Sequence, residues 1–161
     1  SAIGMLRALG HERIVAVDID STKLAEAEKG GSVAALNGRD ADAAQKLNEI
    51  TQGAMYGAVD FVGSTDTAQL ALGALRKGGK LILVGLFGGE IPLSVGSTIL
   101  RALTIQGSHL GSIAELKAVV ALARAGKLRP IPIQTRPLSE VSRTLDELKA
   151  GTIVGRVVAE I

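Results

Sequence analysis

The sequence lacks cysteine and tryptophan, and its 161 residues include only one tyrosine, two phenylalanines and two histidines. Without cysteine the chain can form no disulfide framework, no thiol nucleophile and no Cys-ligated zinc site. Because aromatic side chains for base stacking are scarce and the net charge is only +2, we expect no binding to nucleic acid. The apolar start is too short for a signal peptide or a membrane span, so we expect a soluble cytoplasmic protein with no membrane partner.

Aliphatic residues dominate what is present. Hydrophobic residues make up 47% of the chain and charged residues 21%, which is typical of a folded domain and not of a disordered segment. Val, Ile, Leu and Ala in short runs favour a buried parallel sheet. Strand-like runs occupy residues 13–18, 33–36, 58–62, 80–86, 103–107 and 156–161. Helical periodicity and glycine stops predict helices between them, so the fold class is α/β, with a doubly wound, Rossmann-like parallel sheet covered by helices on both faces.

Single residues predict several helix starts and one domain boundary. We predict N-caps at Asp40 and Ser139, and a capping box formed by Ser112 and Glu115. Three of the four prolines fall within residues 130–137, and proline cannot donate to a β ladder, so this stretch is an expected edge strand or connection. We therefore place a boundary near Lys127, between residues 1–127 and 128–161.

The chain opens inside a predicted helix, from Ser1 to Leu9, although a βαβ unit opens on a strand. We therefore expect the sheet to be truncated before its first strand, with that strand and a glycine-rich, pyrophosphate-binding turn upstream. In the order 3-2-1-4-5-6 the first strand is central, so its loss leaves two unpaired edges. We expect a homo-oligomer in consequence, although residues 156–161 could instead move between the edges of one chain.

Asp18 ends the second strand of this inferred unit and is the first candidate for binding. Its place fits the acid that accepts hydrogen bonds from an adenosine ribose and repels a 2′-phosphate. Asp20 adds negative charge and no arginine follows directly, which favours NAD over NADP. An acid that only ends a strand or caps a helix is the simple alternative.

Six short motifs resemble the zinc-type, medium-chain alcohol dehydrogenases, in family order and along the whole chain. They are Val17-Asp18-Ile19-Asp20, Lys23-Leu24-Ala25, Val59-Asp60-Phe61-Val62-Gly63, Lys77-Gly78-Gly79-Lys80, Val84-Gly85-Leu86-Phe87-Gly88 and Gly155-Arg156-Val157-Val158. The resemblance implies the NAD-binding portion of such an enzyme, which transfers a hydride between an alcohol and NAD. It also implies a partner, an N-terminal catalytic domain that holds the zinc and the proton relay, so we assign no catalytic or metal residue here.

The resemblance implies ten cofactor contacts: Asp18, Lys23, Gly63, Val84, Gly85, Leu86, Ser108, His109, Leu110 and Arg156. Asp18 and Lys23 would hold the ribose, Gly63 would meet the adenosine side, and the two triplets at 84–86 and 108–110 would meet the nicotinamide side. Arg156 would reach the pyrophosphate, for which a guanidinium is suited. Residues 128–161 would belong to the catalytic domain.

Simpler interpretations stay open for several of these residues. Lys23 can be a solvated helix lysine, Gly63 an ordinary turn glycine, Val84 a core residue and Arg156 part of a surface salt bridge. For His109 we prefer a loop-end imidazole near the cofactor to a catalyst or metal ligand.

Two rival functions remain, a class I methyltransferase and a non-catalytic NAD-sensing module. A methyltransferase usually has an acidic or Asn-Pro-Pro motif after the fourth strand, and Gly63-Ser64-Thr65 at that position disfavours it. The proline-rich stretch and the motif at 155–158 fit a dehydrogenase better.

Overall fold

The computed structural model describes residues 2–161, so Ser1 of the predicted first helix lies outside the described residues. The strands are β1 (Val15–Asp18), β2 (Ala34–Asn37), β3 (Gly57–Asp60), β4 (Lys80–Leu83), β5 (Thr104–Gly107), β6 (Ile133–Pro137) and β7 (Arg156–Glu160). The helices are α1 (Ala2–Ala8), α2 (Ser21–Lys29), α3 (Ala43–Thr51), α4 (Thr65–Ala74), α5 (Val95–Leu100), α6 (Ile113–Arg124) and α7 (Val141–Lys149). The predicted alternation of strands and helices is confirmed.

All strand pairs are parallel, and they fall into three sheets with the orders β1-β2, β3-β4-β5 and β6-β7. Within the described residues β1 pairs only with β2, and β3 pairs only with β4. The unpaired edges of β1 and β3 are compatible with the order 3-2-1-4-5-6, in which one more strand would lie between them. β7 pairs with β6, so the alternative in which residues 156–161 move between these edges is wrong.

The core lies where α4 packs on the β3-β4-β5 sheet. Leu72 from the helix, Leu75 directly after it and Leu81 from β4 are buried together with Ala68. Leu81 has no exposed surface, as expected for a strand in the interior of a parallel sheet. The inward placement predicted for Leu72 and Leu75 is confirmed.

One of the predicted helix caps is confirmed and two are wrong. Ser112 Oγ accepts from Glu115 N at 3.2 Å and Glu115 Oε2 accepts from Ser112 N at 2.6 Å, so that capping box is confirmed. The Asp40 cap is wrong, because α3 begins at Ala43 and the Asp40 carboxylate pairs with Lys46 instead. The Ser139 cap is also wrong, because a 3₁₀ turn over Leu138–Glu140 precedes α7.

The β6-β7 sheet and α7 form a small C-terminal unit. Arg136 Nη1 bonds Glu147 Oε2 at 2.8 Å, and Arg143 Nε bonds the other oxygen of this carboxylate at 2.8 Å. Leu145 and Leu148, predicted to point inward, line a groove of about 410 Å³ between α7 and the sheet, yet more than half of each side chain is exposed. Both side chains therefore face the sheet as predicted, but the groove leaves them largely exposed.

The Glu147 ion pairs give the C-terminal unit a testable pH dependence. The hydrogen bond from Arg136, then that from Arg143, lowers the pKa of Glu147 below its ordinary value. The pKa of Glu147 is therefore lower in the folded protein than in the unfolded chain, where it is about 4.3. The ion pairs stabilise the fold fully above this unfolded-state value, and their contribution is lost as the pH falls through the pKa of the folded state. We expect the melting temperature of wild type to exceed that of Glu147→Gln at pH 7, and the difference to shrink below about pH 4.

The control for this measurement is Asp146→Asn, which neutralises the neighbouring exposed carboxylate, a group without a salt bridge in the described structure. If the difference in melting temperature between wild type and Glu147→Gln stayed constant from pH 7 to about pH 3, the ionised Glu147 carboxylate would not stabilise the C-terminal unit.

Candidate functional site

The carboxyl ends of β3, β4 and β5 lie in register at one edge of their sheet. Asp60 is paired with Leu83, and Leu83 with Gly107, at the last position of each ladder. Main-chain bonds continue past these pairs: Val84 N donates to Asp60 O at 2.9 Å and Ser108 N donates to Leu83 O at 2.8 Å. The predicted site segments 63, 84–86 and 108–110 therefore leave the sheet side by side.

Gly63 and Gly85 bring two of these segments into backbone contact. Gly63 has φ of +72°, a left-handed conformation that favours glycine. A Cβ added to Gly63 would overlap the carbonyl oxygen of Gly85, and one added to Gly85 would overlap the backbone of Val62. Neither position has room for a side chain, so both loops present bare main chain at this edge.

The Asp18 carboxylate lies at the matching end of β1, where it is half-buried. Its Oδ1 accepts from Ile19 N at 2.7 Å and from Asp20 N at 3.1 Å, which fixes its orientation. In the described part of the chain Oδ2 accepts no hydrogen bond. The carboxylate is thus held by one oxygen and has the other available to accept from a hydroxyl.

Asp20 and Lys23 form the start of α2. Asp20 Oδ1 caps the helix by accepting from Thr22 N at 2.8 Å and Lys23 N at 3.3 Å. The Lys23 ammonium lies 3.9 Å from Asp20 Oδ2, with nearly half of the side chain exposed. Lys23 therefore lies in the first turn of α2, and its ion pair in this structure is with Asp20.

The remaining predicted residues are more exposed. Leu86 and Leu110 are 87% and 84% exposed, and Ser108 and His109 are also exposed, whereas Val84 is half-buried against the sheet. Leu110 has φ of +59°, so the chain turns sharply there. Exposed apolar side chains at the mouth of the site are suited to contact with a ligand or another surface.

Arg156 lies apart, at the start of β7. Its Nη1 donates to Gly155 O at 3.0 Å, and the side chain lines the groove beside α7. It forms no salt bridge within residues 2–161. The structure does not bring Arg156, or Asp18 and Lys23, into contact with the Gly63–Gly85 segments.

Asp60 and Thr67 also belong to this edge, and neither was predicted as a site residue from the sequence. Asp60 is the only buried charged side chain in the described chain, at 7% exposure. Its Oδ1 accepts from Val62 N at 2.8 Å and Gly63 N at 2.9 Å, and its Oδ2 accepts from the Thr67 hydroxyl at 2.8 Å. The available signal was an acid ending an apolar strand, followed by the Ser64-x-x-Thr67 capping pattern.

Metal ligation is not supported by the donors that this chain offers. No group of three or more His, Cys, Asp or Glu side chains between residues 2 and 161 is placed to hold a metal ion. No helix in the same range has both the length and the apolar character needed to cross a membrane.

Parallel strands, alternating helices and bare main chain at the carboxyl edge define the class of this molecule, a Rossmann-like α/β domain. The sequence profile described as zinc-binding dehydrogenase matches residues 1–125, and the chain belongs to this family.

Two relatives and one solved structure give the scale of the similarity. An alcohol dehydrogenase from Moraxella sp. (strain TAE123) is 35% identical over 91% of this chain and 43% of its own length. An NAD-dependent alcohol dehydrogenase from Sulfurisphaera tokodaii is 30% identical over 98% of this chain and 46% of its own. The crystal structure of the alcohol dehydrogenase from Aeropyrum pernix matches with a TM-score of 0.88 and 31% identity, over 99% of this chain and 46% of that one. The chain thus spans about half the length of the relatives it matches, and the matched part is their C-terminal portion.

Proposed function

We propose that this chain is the NAD-binding portion of a zinc-dependent alcohol dehydrogenase. The observation that carries the proposal is the row of main-chain segments at the carboxyl ends of β3, β4 and β5, with Asp18 at the same end of β1. Ligands of doubly wound folds bind at this end of the strands. Relatives that are named alcohol dehydrogenases, one of them NAD-dependent, support the same reaction class and not the methyltransferase or the NAD-sensing alternative.

Asp18 would hold the adenosine ribose through Oδ2, because Oδ1 is occupied by main-chain donors. Lys23 would approach the same ribose by leaving its long, exposed pair with Asp20, an interaction that contributes little at a surface. Two carboxylates near this position disfavour the 2′-phosphate of NADP. The proposed preference is therefore for NAD.

Gly63 would meet the adenosine side of NAD, and the segment Val84–Leu86 would meet its nicotinamide side. The absence of side chains at Gly63 and Gly85 supports this assignment, because the two loops meet there through main chain alone. Ser108, His109 and Leu110 would contact the carboxamide, and Arg156 the pyrophosphate. Bound NAD supplies the hydride acceptor, and the residues of this chain bind and orient it.

Zinc does not fit the residues of this chain, because it has no cysteine and its described acids and imidazoles form no ligand group. We place the zinc and the catalytic residues in an N-terminal domain that would be this chain's partner. We also propose that residues 128–161 belong with that domain, which the separate pairing of β6 with β7 supports. A cytoplasmic location completes the proposal.

The Asp18 assignment predicts the cofactor preference of the full-length gene product. Each hydrogen bond to a charged group contributes about 1.5–3 kcal/mol, so Asp18→Ala should raise the dissociation constant of NAD by at least about tenfold. The same change removes the repulsion of the 2′-phosphate, so the ratio of NAD to NADP affinity should fall. Fluorescence titration with NADH and NADPH measures both effects, and alcohol-dependent NADH formation tests the reaction itself.

The matched control is Glu28→Ala, which removes an α2 carboxylate that lies away from the start of that helix. We expect this variant to bind both cofactors as wild type does. The assignment is refuted if the wild-type product binds NADP at least as tightly as NAD. It is also refuted if the product binds S-adenosylmethionine in place of NADH.

A further inference from the structure

The buried Asp60 carboxylate needs an explanation, because an ionised group removed from water is costly unless hydrogen bonds replace its hydration. Its two oxygens accept three hydrogen bonds, from Val62 N, Gly63 N and the Thr67 hydroxyl. All three donors lie in the segment that carries the chain from β3 into α4. The carboxylate therefore fixes the shape of this turn from the inside.

The main chain of Asp60 fixes the neighbouring loop as well. Its carbonyl accepts from Val84 N at 2.9 Å and from Gly85 N at 3.0 Å. Two more bonds continue the connection, from Phe87 N to Val62 O at 3.1 Å and from Gly88 N to Gly63 O at 3.0 Å. The two loops that leave β3 and β4 are thus held as one unit with Asp60 at its base.

Thr67 ties this unit to the helix. Its hydroxyl oxygen Oγ1 lies 2.8 Å from Asp60 Oδ2 and 3.2 Å from Ser64 O. The hydroxyl has one proton to donate, and the shorter bond to the carboxylate is the stronger. The Thr67 oxygen can then accept from Ser64 N, at 3.2 Å. Ser64 Oγ in turn accepts from Thr67 N at 3.3 Å, which completes a capping box around the first turn of α4.

We propose that Asp60 and Thr67 are positioning residues for the dinucleotide. They set the Gly63 and Gly85 main chains at the separation that the cofactor requires, without touching it. The proposal depends on the proposed function, because it assumes that this edge binds NAD. Asp60 and Thr67 would thus contribute to cofactor binding through the loops that they hold. The affinity for the cofactor would then depend on the partly buried hydroxyl of Thr67.

The test compares Thr67→Val with Thr67→Ser in the full-length gene product. Valine matches threonine in shape but lacks the hydroxyl, so we expect the NADH dissociation constant and the KM for NAD to rise about tenfold. The kcat at saturating NAD should stay near that of wild type, because the reacting atoms lie elsewhere. Serine keeps the hydroxyl, and we expect it to restore the NADH affinity to within about twofold of wild type.

Thr51→Val is the matched control. It removes another partly buried threonine hydroxyl, which donates to Leu47 O at 2.8 Å within α3, outside the site. We expect this variant to lower the melting temperature with no change in the NADH dissociation constant. A purely structural role for Thr67 would make the two valine variants alike.

Asp60→Asn provides a second variant if Thr67→Val does not fold. The amide oxygen still accepts from Val62 N and Gly63 N, but the amide nitrogen replaces the acceptor for Thr67, so NADH affinity should fall while the turn persists. Asp66→Asn controls for the lost charge, since Asp66 is exposed in the same turn.

Folded Thr67→Val or Asp60→Asn protein with unchanged NADH affinity would overturn the proposal, as would failure of both variants to fold. Wild-type protein that does not bind NADH would instead refute the proposed function.

Discussion

Gly63→Ala is expected to lower both the stability of the protein and its affinity for the cofactor. The left-handed φ of Gly63 costs a non-glycine residue about 1–2 kcal/mol, and overlap of the new Cβ with the Gly85 carbonyl adds to that. We expect a total loss of about 2–4 kcal/mol in the free energy of unfolding. The NADH dissociation constant of the full-length product should rise by more than about tenfold, because the two loops must move apart.

Two control glycines separate the causes. Gly78 has φ of +76° but nothing within 4 Å of an added Cβ, so Gly78→Ala measures the conformational cost alone, about 1–2 kcal/mol. Gly73 lies inside α4 with nothing within 4 Å, so Gly73→Ala should stabilise the protein by about 0.5–1 kcal/mol. Denaturant unfolding gives the three values. A Gly63→Ala protein no less stable than Gly78→Ala would show that the close contact with Gly85 does not exist.

The element order could be predicted because its signals are local. Short aliphatic runs, glycine stops and the Ser112-Glu115 capping box each depend on residues near one another in the chain. The caps at Asp40 and Ser139 failed because another local arrangement competed. Asp40 pairs with Lys46, and a 3₁₀ turn occupies the residues around Ser139.

Strand ends were harder to predict than strand centres. The pattern extends the third strand to Val62, but β3 ends at Asp60 because that carboxylate takes the N–H groups of Val62 and Gly63 out of the ladder. A hydrophobicity pattern does not reveal a side chain that bonds its own main chain two and three residues on. The same bonds explain why Asp60 was missed as part of the site.

The site could be predicted as a set of strand ends but not as a geometry. Asp18, Gly63 and Val84–Leu86 follow strands in the sequence, and parallel strands place their carboxyl ends at one edge. The contact between Gly63 and Gly85 joins residues from two loops, so it depends on the register of β3 with β4. Register between distant strands is a tertiary property that one sequence does not display.

The unpaired edges of β1 and β3 are the places where two copies of the chain would first associate. β1 and β3 each have one edge without a main-chain partner within residues 2–161, and such edges template pairing with another chain. The side chains of Val17 and Val59 on these strands are 41% and 47% exposed, although strands at the centre of a parallel sheet are normally buried on both faces. When residues 1–161 are produced alone, both observations favour a second copy of the chain as the partner of these edges.

Residues 1–161 produced alone are therefore expected to form a dimer or a larger species. Light scattering across a hundredfold range of concentration should show a mass that rises with concentration. Val17→Lys places a charge on the open strand and should shift the mass toward that of a monomer, because inward charges on edge strands block pairing. Val120→Lys is the matched control, since Val120 is 40% exposed on α6, away from either edge, and we expect it to associate as wild type does. A folded monomer at every concentration, or equal effects of the two lysines, would mean that the β1 and β3 edges do not drive association.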